Sequence, residues 1–281
     1  MIVDAHCHVW ERWPYQPPPP DIDTRARAEQ LLFQMDANGV ERAVVICAAI
    51  ADNPRNVEAA FEAAARHVGR LLVFPDLESR WQPHYGIAGA LGRLDEALSR
   101  WDFRGFTVYL DEASDGSWLV SPDAGAFFAR AVERRLLLSL SVVPHQMPFV
   151  VRLAVAHPGL PILLHHYGFL GPRSAATPDA RELVIAGAAQ PNIYVKVSGL
   201  GNVSAPDDEY PYADLRWVRD AVHDAYGAER LIWGSDYPVS SRHMTYRQTL
   251  SLVRRHSGFD EAALASVLGG TMDRSLLSGL A

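Results

Sequence analysis

Asp4-Ala5-His6-Cys7-His8 sits in the first apolar stretch of the chain and carries two histidines one residue apart. On a β-strand successive side chains alternate faces, so His6 and His8 point the same way, their Cα atoms roughly 6–7 Å apart. Both imidazoles then reach one metal ion, and both enter one cavity if the strand lines a barrel. Polar residues at the end of a buried strand need a reason, because an unpaired buried imidazole costs free energy. Alone, His-x-His also describes a surface pair. Its weight comes from Gly234-Ser235-Asp236-Tyr237-Pro238 near the other end of the chain, which sets a carboxylate directly after an apolar strand.

Between these two motifs, short β-rich runs alternate with helical patterns. The strand candidates are residues 2–7, 43–49, 71–75, 105–110, 136–143, 161–165, 193–198 and 231–235, eight in all. Most are near-continuous apolar runs, the pattern of strands buried on both faces of a parallel sheet. Helical spacing over 25–38 ends at Gly39, a good residue for leaving a helix. Ser121-Pro122 caps a helix expected to run to about residue 135, and Thr177-Pro178 repeats that signal for one ending near 189. A further helix over 211–226 ends at Gly227. Eight strands, each followed by a helical segment, close as a (β/α)8 TIM barrel, regular or distorted, in the α/β class.

Nothing in the composition divides the chain, so residues 1–281 are expected to form one domain. Such barrels routinely run about 200–250 residues or more as one unit. The net charge of −7 is spread without blocks, which argues against nucleic acid or an anionic membrane as partner. No segment approaches the roughly 20 apolar residues of a membrane span, and the N-terminus lacks the basic-then-apolar pattern of a signal peptide. Cys7 and Cys47 read as reduced, buried thiols, which fits a cytoplasmic protein. Cys7 is expected to face away from the histidines and not to act as a ligand. The partner expected is a small-molecule substrate, and a homo-oligomer is compatible with the sequence.

At the carboxyl ends of barrel strands, side chains face one shared pocket. Those positions hold His6 and His8, Tyr109, His145 just beyond the fifth strand, His165 and His166, Lys196 and Ser198, and Asp236. Five of the 11 histidines fall in that set, which core packing alone does not produce. Imidazoles with a carboxylate suit Zn²⁺ or another divalent ion, and three protein ligands leave a position open for water. A carboxylate bonded to that water can take its proton and later deliver it to a leaving group. The aromatic loop carrying Trp10, Trp13 and Tyr15, stiffened by prolines at 17–20, reads either as a pocket wall or as a surface loop packed on helices.

Together these motifs resemble the amidohydrolase superfamily. The opening Asp-x-His-x-His, the His166-Tyr167-Gly168 segment, the run from Asn192 to Leu200 and the Gly-Ser-Asp-Tyr-Pro motif are most similar to the amidohydrolase-related branch. That branch includes sugar lactonases and a pyrone-dicarboxylate lactonase. The resemblance spans nearly the whole chain and implies a (β/α)8 barrel with His6, His8 and Asp236 at the reaction centre. It implies that His166 polarises the substrate carbonyl or completes the metal site. Departures from the family pattern carry information too. The fourth strand, Gly105-Phe106-Thr107-Val108-Tyr109, lacks the lysine or glutamate that bridges two metals, so the resemblance implies a mononuclear site. The family's fifth-strand histidine falls near Ser141, and His145 lies about four residues later. Some members of the branch keep the histidines and work without metal, using strand-end arginines for substrate carboxylates, but no arginine stands at Thr107. Histidine also occupies position 165, where the family usually has aspartate.

Blander readings stand beside these. Asp236 could cap the following helix or pair with Arg242, and His166 could be a core histidine bonded to a carbonyl. His165 is expected to face the opposite side of its strand from His166 and to be structural. Lys196 reads equally as a partner for a buried carboxylate or a substrate contact, and His145 as a loop residue at the pocket rim or a substrate contact. Tyr109 and Trp13 complete the expected substrate-binding set. The function these residues and the resemblance imply is a metal-dependent or metal-assisted hydrolase that opens a small lactone or cyclic ester. In it Asp236 acts as general acid/base and His166 as electrophile. The alternatives are a mononuclear-metal decarboxylase acting on a carboxylated aromatic or muconate-type acid, and a barrel without activity.

Overall fold

The computed structural model describes residues 1–174 and 177–278; residues 175, 176 and 279–281, part of the expected single-domain span, lie outside the described residues. Among the described residues nine strand segments run in the order β1 (Val3–Cys7), β2 (Arg42–Ile46), β3 (Leu71–Phe74), β4 (Asp76–Ser79) and β5 (Gly105–Tyr109). They continue as β6 (Leu137–Ser141), β7 (Ile162–Leu164), β8 (Ile193–Val197) and β9 (Leu231–Trp233). All neighbours pair in parallel, β1-β2-β3 in one ladder and β4 to β9 in another.

The break between the ladders falls at Pro75. The expected third strand over 71–75 continues to Ser79, but its first half pairs with β2 and its second half with β5. Proline has no N–H to offer a ladder, and here only its carbonyl takes part, accepting from Thr107 N at 2.8 Å. β3 and β4 are thus one barrel stave, bent at the proline, and the nine segments fill eight barrel positions. Between β9 and β1 the backbone closes the ring: Asp236 N donates to His6 O and His8 N to Tyr237 O, both at 2.7 Å.

Helices alternate with the strands: α1 (Ala28–Asn38), α2 (Asn56–Arg66), α3 (Ala90–Arg100), α4 (Pro122–Glu133), α5 (Met147–Ala156) and α6 (Ala180–Ala186). They are followed by α7 (Leu200–Val203), α8 (Arg216–Tyr226), α9 (Tyr246–His256), α10 (Glu261–Ala265) and a last helical segment, Ser266–Leu277. α1 buries Ala28, Leu31, Leu32 and Met35, one stripe at helical spacing, and stops at Gly39 with φ 68°. Ser121 caps α4 as expected, its Oγ accepting from Ala124 N at 3.2 Å with Pro122 in the first turn. α6 starts later than its sequence signal, at Ala180. No helix among the described residues is long and apolar enough to cross a membrane.

Two apolar clusters follow from this layering. The larger packs outward strand residues such as Val45, Phe106, Leu140 and Val195 against helical residues such as Leu31, Phe127 and Val150. A smaller one takes Val3, Ala5, Ile46, Phe74, Leu137, Leu163 and Ile232 from strands around the barrel and fills its interior. Cys7 belongs to the outer cluster, its thiol directed at Val44 O, so it faces away from the histidines as expected; both cysteines are free and buried.

Asp76, the first residue of β4, is 4% exposed, and its Oδ2 accepts from Ala49 N at 3.3 Å. Burial pushes this carboxyl from 3.8 up to about 7, against the lowering effect of that hydrogen bond. The folded chain therefore holds a proton here that the unfolded chain releases near 3.8. The stabilising contribution is full below that value and is lost as pH rises through about 7. Asp76→Asn has no proton to lose. Its thermal midpoint should gain on that of the wild type as pH rises from 4 to 8, and a constant gap across that range would show that Asp76 does not titrate there.

Candidate active site

A cavity of about 500 Å³ opens at the carboxyl ends of the strands, with His6, His8, His165, His166 and Asp236 on its floor. Its walls include Tyr15, Ile50, Arg80, Trp81, Tyr109, Glu112, Phe169, Asn202 and Arg242. Local backbone explains how the floor forms. The β1–β2 ladder slips between Asp4 and Cys7, so strict alternation does not govern the His-x-His segment. Asp236 follows β9 at φ 57° and His166 follows β7 at φ 47°, both left-handed. Non-glycine residues in such a region cost of order 1–3 kcal/mol, a cost that persists where the surroundings over-determine it. Gly234 lets the first and last strands approach: a Cβ there would lie 2.5 Å from His6 Cβ and 2.9 Å from its backbone nitrogen.

Asp236 Oδ1 is the geometric centre. It lies 3.5 Å from His6 Nε2, 3.4 Å from His8 Nε2 and 3.9 Å from His166 Nε2. Asn202 Nδ2 donates to Oδ2 at 3.0 Å and fixes the carboxylate's orientation. The opposite ring nitrogens are also engaged: His8 Nδ1 with Ile46 O at 2.7 Å, His166 Nδ1 with Ser198 Oγ at 2.9 Å, His6 Nδ1 with Lys196 Nζ at 3.0 Å. Contacts of this kind orient imidazoles and settle which nitrogen is free to act as donor.

Burial pulls the Asp236 carboxyl upward, but His166, His8 and the Asn202 bond outweigh it and hold the group below its ordinary value. Burial lowers His166 to about 4, with Asp236 opposing, and drives His6 and His165 well below the usual imidazole range. At neutral pH these three rings are uncharged bases beside an ionised carboxylate. Neutral imidazole and carboxylate are the forms that bind metals. His6 Nε2 is sealed from solvent and, among the described residues, has no hydrogen-bond partner. Such an orphaned atom calls for a ligand. Donor atoms of His6, His8 and Asp236 all lie within 4.8 Å of one another, so the residues present fit a divalent cation.

The remaining expectations divide. Tyr109 lines the cavity, 4.7 Å from Trp81 ring to ring. His145 does not reach it: it is exposed in the Pro144–Gln146 turn, with Nε2 2.9 Å from Ser114 O. Lys196 is fully buried beneath the floor, bonded to His6 and, at 2.6 Å, to Ser139 Oγ, so it supports an imidazole rather than touching the cavity. Trp13 is 7% exposed and packs in the inner apolar cluster; the loop residues on the wall are Pro14 and Tyr15, the latter 5.6 Å from Trp13 ring to ring. The loop walls the pocket as its position after β1 suggests, but through a different aromatic. Arg242 stands 4.7 Å over the Tyr15 ring and makes no ion pair with Asp236 among the described residues. His165, expected to face away, points into the cavity by regular alternation with the inward Leu163, and the left-handed turn at His166, Tyr167 and Gly168 brings His166 in beside it. The glycine at 168 was the signal for that turn. The Arg80–Glu112 pair at the rim, 2.8 Å, and Trp81 had no sequence signal that set them apart.

The sequence profile of the amidohydrolase family matches residues 3–272, and the chain belongs to that family. L-fucono-1,5-lactonase of Burkholderia ambifaria is 29% identical over 248 residues, covering 85% of this chain and 80% of that protein. A crystal structure of a Burkholderia multivorans amidohydrolase with bound zinc superposes with a TM-score of 0.79 at 24% identity, covering 99% of each chain. A probable 2-pyrone-4,6-dicarboxylic acid hydrolase from Acinetobacter baumannii superposes at 0.75, with 17% identity and 99% of each chain covered. These likenesses establish the (β/α)8 barrel.

Trp13 and Tyr15 differ in consequence. Trp13→Ala should cost about 3–5 kcal/mol of stability, as removal of a buried indole does, and leave KM nearly unchanged. Tyr15→Ala should raise KM with little change in thermal midpoint. Denaturation and steady-state kinetics on both variants check this, and the reverse pattern would place Trp13 against substrate.

Proposed function

We propose that this protein is a metal-assisted lactonase that hydrolyses a small, neutral cyclic ester, with Asp236 as the proton-transfer residue. The observation that carries the reading is the convergence of three imidazole Nε2 atoms on Asp236 Oδ1, at 3.5, 3.4 and 3.9 Å. His6, His8 and Asp236, with His166 beside them, are the residues that would hold one divalent ion, zinc being the choice their nitrogen-rich set favours. Such an ion supplies Lewis acidity toward the ester carbonyl. The similarity to an L-fucono-1,5-lactonase supports a lactone as substrate.

The chain's own residues account for the proton path. Ionised Asp236 accepts a proton from the attacking water through Oδ1, while Asn202 holds Oδ2. As the bond between the carbonyl carbon and ring oxygen breaks, the same carboxyl returns that proton to the departing alkoxide, giving the open-chain hydroxy acid. His166, neutral and tied at Nδ1 to Ser198, presents Nε2 to the carbonyl oxygen or to the ion. Tyr15, Trp81 and Tyr109 give the flat apolar surfaces against which a sugar-like ring packs. The decarboxylase alternative relies on a fifth-strand histidine in the metal site, and His145 is turned out to the surface.

Asp236→Asn keeps the side chain's size but cannot carry the proton. General acid–base catalysis contributes about 10²–10⁴-fold, so kcat and kcat/KM should fall together by that order with the fold intact. Near-normal kcat on a turned-over lactone would move the role to His166. Panels of aldonolactones and of aromatic carboxylic acids, assayed before and after chelation, test substrate class and metal together. Lactone turnover lost on chelation and restored by zinc is expected. Full activity in chelator would favour the metal-free branch, and turnover confined to the acids would favour the decarboxylase.

A further inference from the structure

The floor of the cavity holds one imidazole more than the lactonase reading uses. We propose that His165, with His6 and His166, forms a second, all-imidazole cation position that overlaps the first through His6 and binds metal without Asp236. It rests on the reading of this floor as a metal site.

Donor nitrogens of His6, His165 and His166 lie within 4.8 Å of one another, and all three residues are buried. The His165 ring sits 4.5 Å from that of His6 and 5.6 Å from that of His166, edge-on in each case. Beneath this group lies a polar support. His165 Nε2 is 2.7 Å from Ser139 Oγ, Ser139 Oγ is 2.6 Å from Lys196 Nζ, and Lys196 Nζ is 3.0 Å from His6 Nδ1. One buried Lys–Ser pair therefore occupies the lower nitrogen of two imidazoles at once. That leaves His165 Nδ1 and the orphaned His6 Nε2 as the remaining donor atoms. With Nε2–H donating to Ser139, Nδ1 of His165 carries the lone pair a cation requires.

The two positions differ in chemistry. The first joins two imidazoles to a carboxylate; the second is nitrogen only, which selects borderline transition ions such as Zn²⁺, Co²⁺ or Ni²⁺ and rejects Mg²⁺ and Ca²⁺. It also separates two tasks that otherwise fall on one side chain. When the imidazoles hold the cation, Asp236 remains a free carboxylate for proton transfer.

The test is zinc affinity, measured by competition with a chromophoric chelator, in a chain that lacks the Asp236 carboxylate. Asp236→Asn should still bind one zinc and should ignore millimolar Mg²⁺. Adding His165→Gln, whose amide can keep the bond to Ser139, should weaken zinc binding by at least about 100-fold, the upper end of what loss of a supporting contact costs. Adding His8→Gln to Asp236→Asn should change it little. X-ray absorption on zinc-loaded Asp236→Asn should count three imidazoles, a readout that stands even if a double variant fails to fold. Loss of zinc by Asp236→Asn, equal effects of the two histidine changes, or a two-imidazole site would overturn the second position and leave the lactonase reading standing. A wild-type chain that binds no zinc would remove the metal assignment and this inference together.

Discussion

The seam between the first and last strands is the constraint on which the rest depends. Two backbone hydrogen bonds of 2.7 Å tie Asp236 to His6 and His8 to Tyr237, so the contacts that close the barrel are made by residues of the cavity floor and the neighbouring Tyr237. Asp4 locks the same seam from behind: its carboxylate accepts from Ser235 N at 2.8 Å and from the Tyr246 hydroxyl of α9 at 2.9 Å. Burial lifts Asp4 to about 6, with those bonds pulling the other way. The separation of His6, His8 and Asp236 is therefore set by main-chain geometry and a buried carboxyl, not by flexible side chains. Preorganisation of this kind means the donors need little rearrangement when substrate arrives.

How much of this was legible in the sequence follows from which forces act locally. Apolar runs and helix signals reveal the staves, because burial on both faces and capping leave marks within a few residues. Asp236 and the His-x-His pair were legible because strand ends of a barrel point to one place whatever the loops do. What escaped was set by backbone departures from the regular period. Pro75 bends the third stave and hands its pairing from β2 to β5, which a single apolar run over 71–75 does not display. Alternation with Leu163 turns His165 inward, and the left-handed turn at His166 brings the second imidazole in as well, so the expectation that only His166 of this pair enters the cavity fails. Trp13 and Tyr15 lie on one loop, and which of the two is buried in the inner cluster and which lines the cavity depends on tertiary packing that the loop's own sequence does not encode.

Lys196 illustrates a different limit. A lysine on a buried strand reads as a charge seeking a carboxylate, yet its polar contacts are His6 and Ser139. Burial, opposed by Cys7, Asp4 and Asp236, drives its pKa far down toward the neutral amine. In that state Nζ can donate to the Ser139 hydroxyl and also accept from an imidazole N–H, whereas a protonated lysine can only donate. The residue serves the site through the ring it supports, a role that composition and spacing do not encode.

The charge state of the floor bears on which substrates enter. His6, His165, His166 and Lys196 are held toward their uncharged forms, while Asp236 is held ionised. At the rim Arg80 is paired with Glu112, so that charge is largely spent before substrate meets it. A dianionic acid approaching this floor would meet the buried Asp236 carboxylate, with Arg242, stacked over Tyr15 on the wall, as the lining arginine that has no ion pair among the described residues. A neutral lactone meets no such penalty, and its aliphatic ring finds Tyr15, Trp81 and Tyr109 on the walls. Negative charge appears on the carbonyl oxygen only as the ester is attacked, beside His166 and any cation the floor holds. Neutral donors around one ionised carboxylate favour charge that develops during a reaction over charge that a substrate carries to the floor.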